Sequence, residues 1–274
     1  MRHAIFGVLF LIANLAFLWT VTRYYKFMAV GRPDLKFDRL PQRVWTFLVY
    51  WLGQKKVPER VAYQPEQRTL FTSVHHLVIF YGFLVITVGT VEIFLQGLIP
   101  GGSFRFLGPI YAPFKFFVDV FNLLVLCAVA FGFYRRLVTK PRLIPMSLDA
   151  AVILGAIGGL MITHLGHHGL RMVAEGHREA WAPASAVVAR WFDGMPKGTA
   201  HTLAEVLWWV HVAILLAFLN YLPYSKHIHI LGAIPNIFFA KDPEGDKGVM
   251  PKRNLEDEND WGVGKIEQFS HKSL

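Results

Sequence analysis

Val210–Ile230 reads VHVAILLAFLNYLPYSKHIHI. It places His211 inside an apolar run and His229 just past its end. The two are eighteen residues apart, which at 3.6 residues per turn is about five whole turns. On a helix running straight through, both imidazoles point the same way and lie roughly 27 Å apart along the axis. Two histidines so placed cannot share one iron. Each can hold one of two stacked haems, a geometry that carries electrons across a membrane.

The rest of the chain suits such a setting. Of 274 residues, 54% are hydrophobic and 15% aromatic, and only 17% are charged. That is too apolar for a soluble domain. A bilayer-spanning helix takes about 20 apolar residues. Five segments qualify: about 4–22, 72–96, 114–134, 148–170 and 203–224. The fold class is therefore an all-α integral membrane protein, a five-transmembrane-helix bundle. The first segment has no small-residue cleavage site and passes straight into RYYKF, so it reads as a retained span and not as a signal peptide.

Basic residues set the expected orientation. Ten of them, from Arg23 to Arg68, lie between the first two spans, and the third connection holds Arg135, Arg136, Lys140 and Arg142. The connection after span two has only Arg105, and that after span four balances its basic residues with Glu175, Glu179 and Asp193. The positive-inside rule puts the N-terminus outside and the C-terminus in the cytoplasm. The net charge of +9 is mostly this bias, so the lipid bilayer is the partner it implies and nucleic acid is not. Residues 1–240 form the membrane domain. Within it RVWTFLVYWLGQKK, about 43–54, reads as a helix on the membrane surface, with Trp45 and Trp51 at headgroup level. Residues 241–274 are polar with charges of both signs, a tail or linker. The single cysteine, Cys127, lies in mid-span and reads as a buried small apolar residue, with no disulfide, zinc or iron–sulfur motif around it.

Histidines at membrane depth are the candidate ligands. His75 and His76 sit about a turn inside the cytoplasmic end of span two, at the depth of His229. A His76–His229 pair could hold an inner, low-spin b-type haem. His75 and His227 are the alternates. His227 is sixteen residues after His211, about 160° around an ideal helix, and so faces away from His229. His211 needs a deeper partner. Span two offers only Ile86, Thr87 and Val88 there. Span four offers MITHLGHHGL, where His164 and His168 share a face. His211 with His164 or His168 is the candidate pair for a second, outer haem. Three acids, Glu92, Asp119 and Glu205, fall near the outer face, either as quinone proton relays or as solvated boundary residues. Asp149, beside Ser147, reads as a helix-start residue.

Three stretches carry a resemblance: HLVIFYGFLV from His76, LWWVHVAILLAFLNYLPYSKHIHILGAIPNIFF from Leu207, and DWGVGKIEQF from Asp260. The chain resembles the haem-b membrane domain shared by the nitrate reductase gamma subunit and membrane subunits of heterodisulfide-reductase-like complexes. It is most similar to the N-terminal half of membrane-bound iron–sulfur oxidoreductases of the electron-transfer-flavoprotein:menaquinone type. The gamma-subunit pattern implies His211 and His229 as fifth-span ligands, with Pro223 also matching, and His76 as the inner second-span ligand. Its outer second-span ligand has no counterpart, since Ile86 occupies that region. The resemblance also implies a cytoplasmic iron–sulfur domain or subunit beyond DWGVGKIEQF, with electron-transfer flavoprotein as a possible donor and menaquinone or another quinone as acceptor.

The combined expectation is a b-type cytochrome with one or two haems that exchanges electrons between a cytoplasmic iron–sulfur or flavoprotein partner and the quinone pool. Iron–sulfur clusters belong to a further domain or a partner subunit. One alternative is a transmembrane cytochrome of the ascorbate-reducible or ferric-reductase kind. The other is a non-redox membrane anchor or transporter.

Overall fold

A computed structural model describes residues 2–30, 35, 37–57, 70–140 and 145–240. The described residues are helical, with no strand among them. The polar tail, 241–274, lies outside the described residues. The chain divides into two units: Met1–Asn14 with Gln64–Tyr221, and Leu15–Tyr63 with Leu222–Leu274.

Five helical segments are long and apolar enough to cross a membrane. They contain α1 (Arg2–Met28), α3 (Leu70–Leu98), α4 (Tyr111–Tyr134), α5 (Leu148–Glu175) and α7 (Lys197–Tyr221), with short helices α2 (Leu40–Thr46), α6 (Pro183–Arg190) and α8 (Ile228–Phe238). The spans fall where hydropathy puts them but run longer. α1 and α5 continue past the expected ends, and α7 begins six residues before 203.

In the first unit, α3 packs on α4, α4 on α5, and α5 on α7. Small residues on one face explain why. Hydrocarbon drives no hydrophobic collapse between spans, so close backbone approach does the work. Gly82 and Gly89, one heptad apart, face Val125 and Val118 of α4. Gly159 and Gly166, also one heptad apart, face Ile214 and Leu207 of α7. Each pairing runs in reversed order, so these neighbours are antiparallel. The N-terminal part of α1 closes the unit: Phe6, 0% exposed, stacks among Phe10, Phe94 and Trp208 and lies on Gly97.

Local chemistry sets the helix ends. Ser147 Oγ accepts from Ala150 N (3.2 Å) at the start of α5, and Gly176 at φ 77 ends it in the left-handed conformation that glycine tolerates. Asp149, in that first turn, accepts from Tyr221 Oη at 2.6 Å, so it fixes α7 as well as sitting at a favourable helix start. α6 begins with Pro183 at its first position, yet Ala182 gives it no side-chain cap. Asp119 of α4 supplies that cap.

In the second unit, α8 packs on α2 and on the π-helical turn Phe47–Leu52. Arg43, 2% exposed, holds them: it donates to Asp38 O (2.7 Å), Phe238 O and Ala240 O (3.0 Å each), and pairs with Asp38 Oδ1 (2.7 Å). The stretch 43–54, expected as a helix on the membrane surface, is helical over Leu40–Thr46 and Phe47–Leu52, with Trp45 exposed and Trp51 stacked on Phe47 at 4.9 Å.

Three expectations are corrected. The helix carrying His211 does not run straight to His229. α7 ends at Tyr221, Leu222–Tyr224 forms a 3-10 turn around Pro223, and α8 starts afresh at Ile228. Proline breaks the ladder by removing an N–H, and Ser225 closes the turn by donating to Leu222 O (3.0 Å) and accepting from His227 N (3.1 Å). The five-turn phase relation between the two histidines therefore does not hold. For the same reason His227 does not face away from His229: their ring centroids are 5.4 Å apart. Finally, Cys127 is exposed. It lies on the outer face of α4, while Val125, Ala128 and Val129 turn inward.

Candidate functional site

The first unit contains a cavity at the end of the bundle where α6 lies. Its lining includes Glu92 and Gln96 of α3, Tyr111, Lys115 and Asp119 of α4, Thr163 and three histidines of α5, and Trp208 and His211 of α7. At about 60 Å³ it has room for roughly four to six waters at 10–15 Å³ each.

His211 is buried and its ring is fixed. Nδ1 lies 2.9 Å from Thr163 Oγ1 and 3.2 Å from Leu160 O. A carbonyl can only accept, and the Thr163 hydroxyl already donates to Gly159 O at 2.7 Å. Nδ1 is therefore the N–H donor, and the neutral ring keeps its lone pair on Nε2. A ring oriented by a backbone carbonyl, with the other nitrogen available, is what a metal-bound histidine requires. His167 is fixed in the same manner, with Nδ1 2.8 Å from Ala204 O.

His164 lies across from His211 with ring centroids 6.1 Å apart, tilted by 54°. Two imidazoles on opposite sides of one metal, each nitrogen about 2 Å from it, have centroids roughly 6 Å apart. His168 stands against His164 (4.5 Å) and His167 (5.2 Å). Of the two span-four candidates, His164 is the one in ring contact with His211. Among the described residues, no group of three or more His, Cys, Asp or Glu side chains is arranged to hold a metal ion.

The three acids differ sharply. Asp119, 3% exposed, accepts from Ala184 N (2.6 Å), Ser185 N (3.1 Å) and Ser185 Oγ (2.5 Å). It is the borrowed N-cap of α6. Glu92, 8% exposed, accepts through Oε1 from Ser103 Oγ (2.7 Å), Phe104 N (3.0 Å) and Tyr111 Oη (2.9 Å). Glu205 is paired with Arg2 at 2.9 Å, and the Arg2 guanidinium stacks over Trp208 at 3.9 Å. Neither Glu92 nor Asp119 is a solvated boundary residue.

The chain has relatives among known proteins. It is 31% identical over 280 residues to "Probable iron-sulfur-binding oxidoreductase FadF" of Bacillus subtilis, covering 97% of this chain and 38% of that protein. It is 26% identical over 249 residues to "EtfAB:quinone oxidoreductase" of Syntrophomonas wolfei, covering 86% of this chain and 33% of that protein. Its relatives are oxidoreductases. The chain spans about a third of the length of each. No family model matches it, and no solved structure matches it significantly. These findings bear on the iron–sulfur oxidoreductase side of the resemblance. The likeness to the nitrate reductase gamma subunit rests on the residues alone. Oxidoreductase relatives and five membrane-length helices together fit a membrane subunit for electron transfer.

Of the remaining expected ligands, those in the first unit, His75 and His76, do not line this cavity. His75 of α3 is half-buried, its ring edge-on to Phe131 of α4 at 5.6 Å, and His76 beside it is exposed. His229 is exposed at the start of α8 with Nδ1 2.8 Å from Lys226 O. His76 belongs to the first unit and His229 to the second. Tyr111, Lys115, Thr163 and Trp208 were not anticipated. Thr163 had a signal: it stands one turn or less from both Leu160 and His164, on the face that meets His211.

Proposed function

We propose that this chain is the membrane electron-transfer part of an oxidoreductase, passing electrons between an iron–sulfur or flavoprotein partner and a quinone. The observation that carries the reading is the His164–His211 pair, two buried imidazoles with ring centroids 6.1 Å apart, one with its tautomer fixed by Leu160 O and Thr163. The relatives' names, an iron–sulfur-binding oxidoreductase and a quinone oxidoreductase, support the electron donor and acceptor classes.

In this reading His164 and His211 would hold a b-type haem. A haem bound there supplies one-electron transfer within the low-dielectric bundle. The donor set fits: two buried imidazoles, that of His211 oriented by Leu160 O and Thr163. A macrocycle also needs the lining side chains, Trp208 and Phe114 among them, to part, because the cavity itself is small. His167 is bound to Ala204 O and serves as structure. The N-terminus lies outside and the tail in the cytoplasm, towards the iron–sulfur partner.

The test is a reduced-minus-oxidised visible spectrum of the purified protein, with pyridine haemochrome quantitation. His211→Ala and His164→Ala should each lose one b haem, and His168→Ala should keep it. No b-type band in the wild type overturns the reading.

A further inference from the structure

The second unit carries an open pocket of about 460 Å³ on α2 and the π-helical turn Phe47–Leu52. That volume falls within the roughly 300–1,000 Å³ of small-ligand sites. Gln42, Trp45, Thr46 and Val49 line it at helical spacing, and Tyr50 and Lys55 join them. Arg43 is not in the lining; it is committed to Asp38, Phe238 O and Ala240 O. The chain itself builds the position of Lys55. Gln54 takes the left-handed conformation, φ 49, uncommon outside glycine, and its side-chain amide donates to Trp51 O. Gly53 N donates to Leu48 O (2.7 Å) and Lys55 N to Val49 O (3.3 Å). The chain thus doubles back and sets the Lys55 ammonium 5.4 Å from the centroid of the Tyr50 ring. Among the described residues no carboxylate pairs with Lys55, and the Gln42 amide makes no hydrogen bond.

Charge in this unit is lopsided. Its described residues hold one acid, Asp38, against Arg23, Lys26, Arg39, Arg43, Lys55, Lys56 and Lys226. Asp38 is already paired with Arg39 and Arg43. The pocket therefore presents a cation with no counter-charge beside an aromatic wall. Val44, Trp45, Leu48 and Leu52 are exposed on the same helical stretch. A small soluble anion leaves such apolar surface in water, whereas a lipid covers it.

We propose that this pocket seats one anionic phospholipid. Lys55 Nζ takes the phosphate, Gln42 donates to the ester oxygens, and Trp45 and Tyr50 flank the glycerol and the first acyl carbons. The inference is independent of the haem and of the quinone. An ammonium is a compact point charge suited to phosphate. Trp and Tyr favour the boundary between head group and hydrocarbon. A fixed seat differs from the diffuse attraction of any basic surface for anionic lipid, because it depends on which lysine is removed.

The experiment titrates the full chain in a neutral detergent and counts bound molecules by native mass spectrometry. The ligands are dioctanoyl-phosphatidylglycerol, dioctanoyl-phosphatidylcholine, dioctanoylglycerol and glycerol phosphate. Wild type should take up one phosphatidylglycerol roughly tenfold more tightly than each of the others, since only it brings both acyl carbons and net negative charge. Lys55→Gln should weaken that first binding about fivefold, the effect of one basic residue at an anionic surface. Lys26→Gln, equal in charge and outside the pocket, should change it by less than about twofold on the same scale. Equal losses in the two variants overturn the seat in favour of diffuse charge. Glycerol phosphate binding as tightly as the lipid overturns the lipid as occupant, and phosphatidylcholine doing so overturns the preference for net negative charge. The comparison of ligands in wild type needs no variant, so it decides even if Lys55→Gln fails to fold.

Discussion

Replacing Asp119 with alanine should release α6 from the bundle. The carboxylate is 3% exposed and accepts from two backbone N–H groups and one hydroxyl. Ser185 is fully buried and Ala184 is 8% exposed, so water does not replace the carboxylate cheaply. Hydrogen bonds to a charged group contribute about 1.5–3 kcal/mol each. Three would give roughly 5–9 kcal/mol, but bonds to one group are not additive. The cost of removing one partner of a buried charged contact, about 3–5 kcal/mol, is the better figure. Asp119→Asn keeps one acceptor oxygen and should cost about 2–3 kcal/mol on the same scale. Ser185→Ala keeps both N–H donors and should cost about 1–2 kcal/mol.

The assay is limited trypsin cleavage after Arg190, which is exposed at the last turn of α6. Cleavage that needs local opening tracks the population of the open form. A loss of about 3 kcal/mol raises that population by roughly a hundredfold, at about 1.4 kcal/mol per factor of ten. The variants should therefore rank Asp119→Ala, then Asp119→Asn, then Ser185→Ala, then wild type. A cleavage rate in Asp119→Ala within threefold of wild type would refute the capping argument and return Asp119 to a solvated boundary role.

Other outcomes follow from packing and exposure. Gly82→Ala would drive a methyl to 2.3 Å from Val125 Cγ2, a stiff β-branched side chain, and should cost about 1–3 kcal/mol in detergent unfolding. Gly166→Ala meets only the end of Leu207 at 2.7 Å, so its midpoint should fall by less; equal losses would contradict the α3–α4 packing. Arg43→Ala leaves the Phe238 and Ala240 carbonyls unpaired. It should cost about 1–3 kcal/mol for each buried group so exposed, read as faster amide exchange in α8. Cys127 should react with a lipid-soluble maleimide and resist a charged, membrane-impermeant thiosulfonate; fast reaction with the latter would place its face in water.

Hydrocarbon made the spans legible. Five apolar runs of the right length leave few alternatives, and the structure moves only their ends. Depth matching also pointed to the HLGHH cluster as the neighbourhood of His211, because antiparallel spans place residues at calculable heights. Three features were hidden for three reasons. The break at Pro223 was readable as a proline, but its effect on phase depends on whether the helix resumes, which the Ser225 turn decides. α6 begins at Pro183, but its cap comes from Asp119, sixty-six residues upstream of Ser185. Cys127 sits on a helix apolar on all sides, where composition does not say which face meets protein and which meets lipid.

That last difficulty is resolved on α5 by its small residues, and the resolution bears on the chemistry. Gly159 and Gly166 fix which face of α5 closes on α7. Leu160, Thr163 and His167 lie on or beside the same stripe, so closing that face brings Leu160 O and Thr163 to His211, and His167 to Ala204 O. His164 is one helical turn beyond Leu160 and thus arrives across from the ring that Leu160 orients. The tautomer of His211 and the position of its partner are therefore consequences of one packing register. A methyl added at Gly159 or Gly166 acts on both together, whereas the straight-helix phase from His211 to His229 has no part in either.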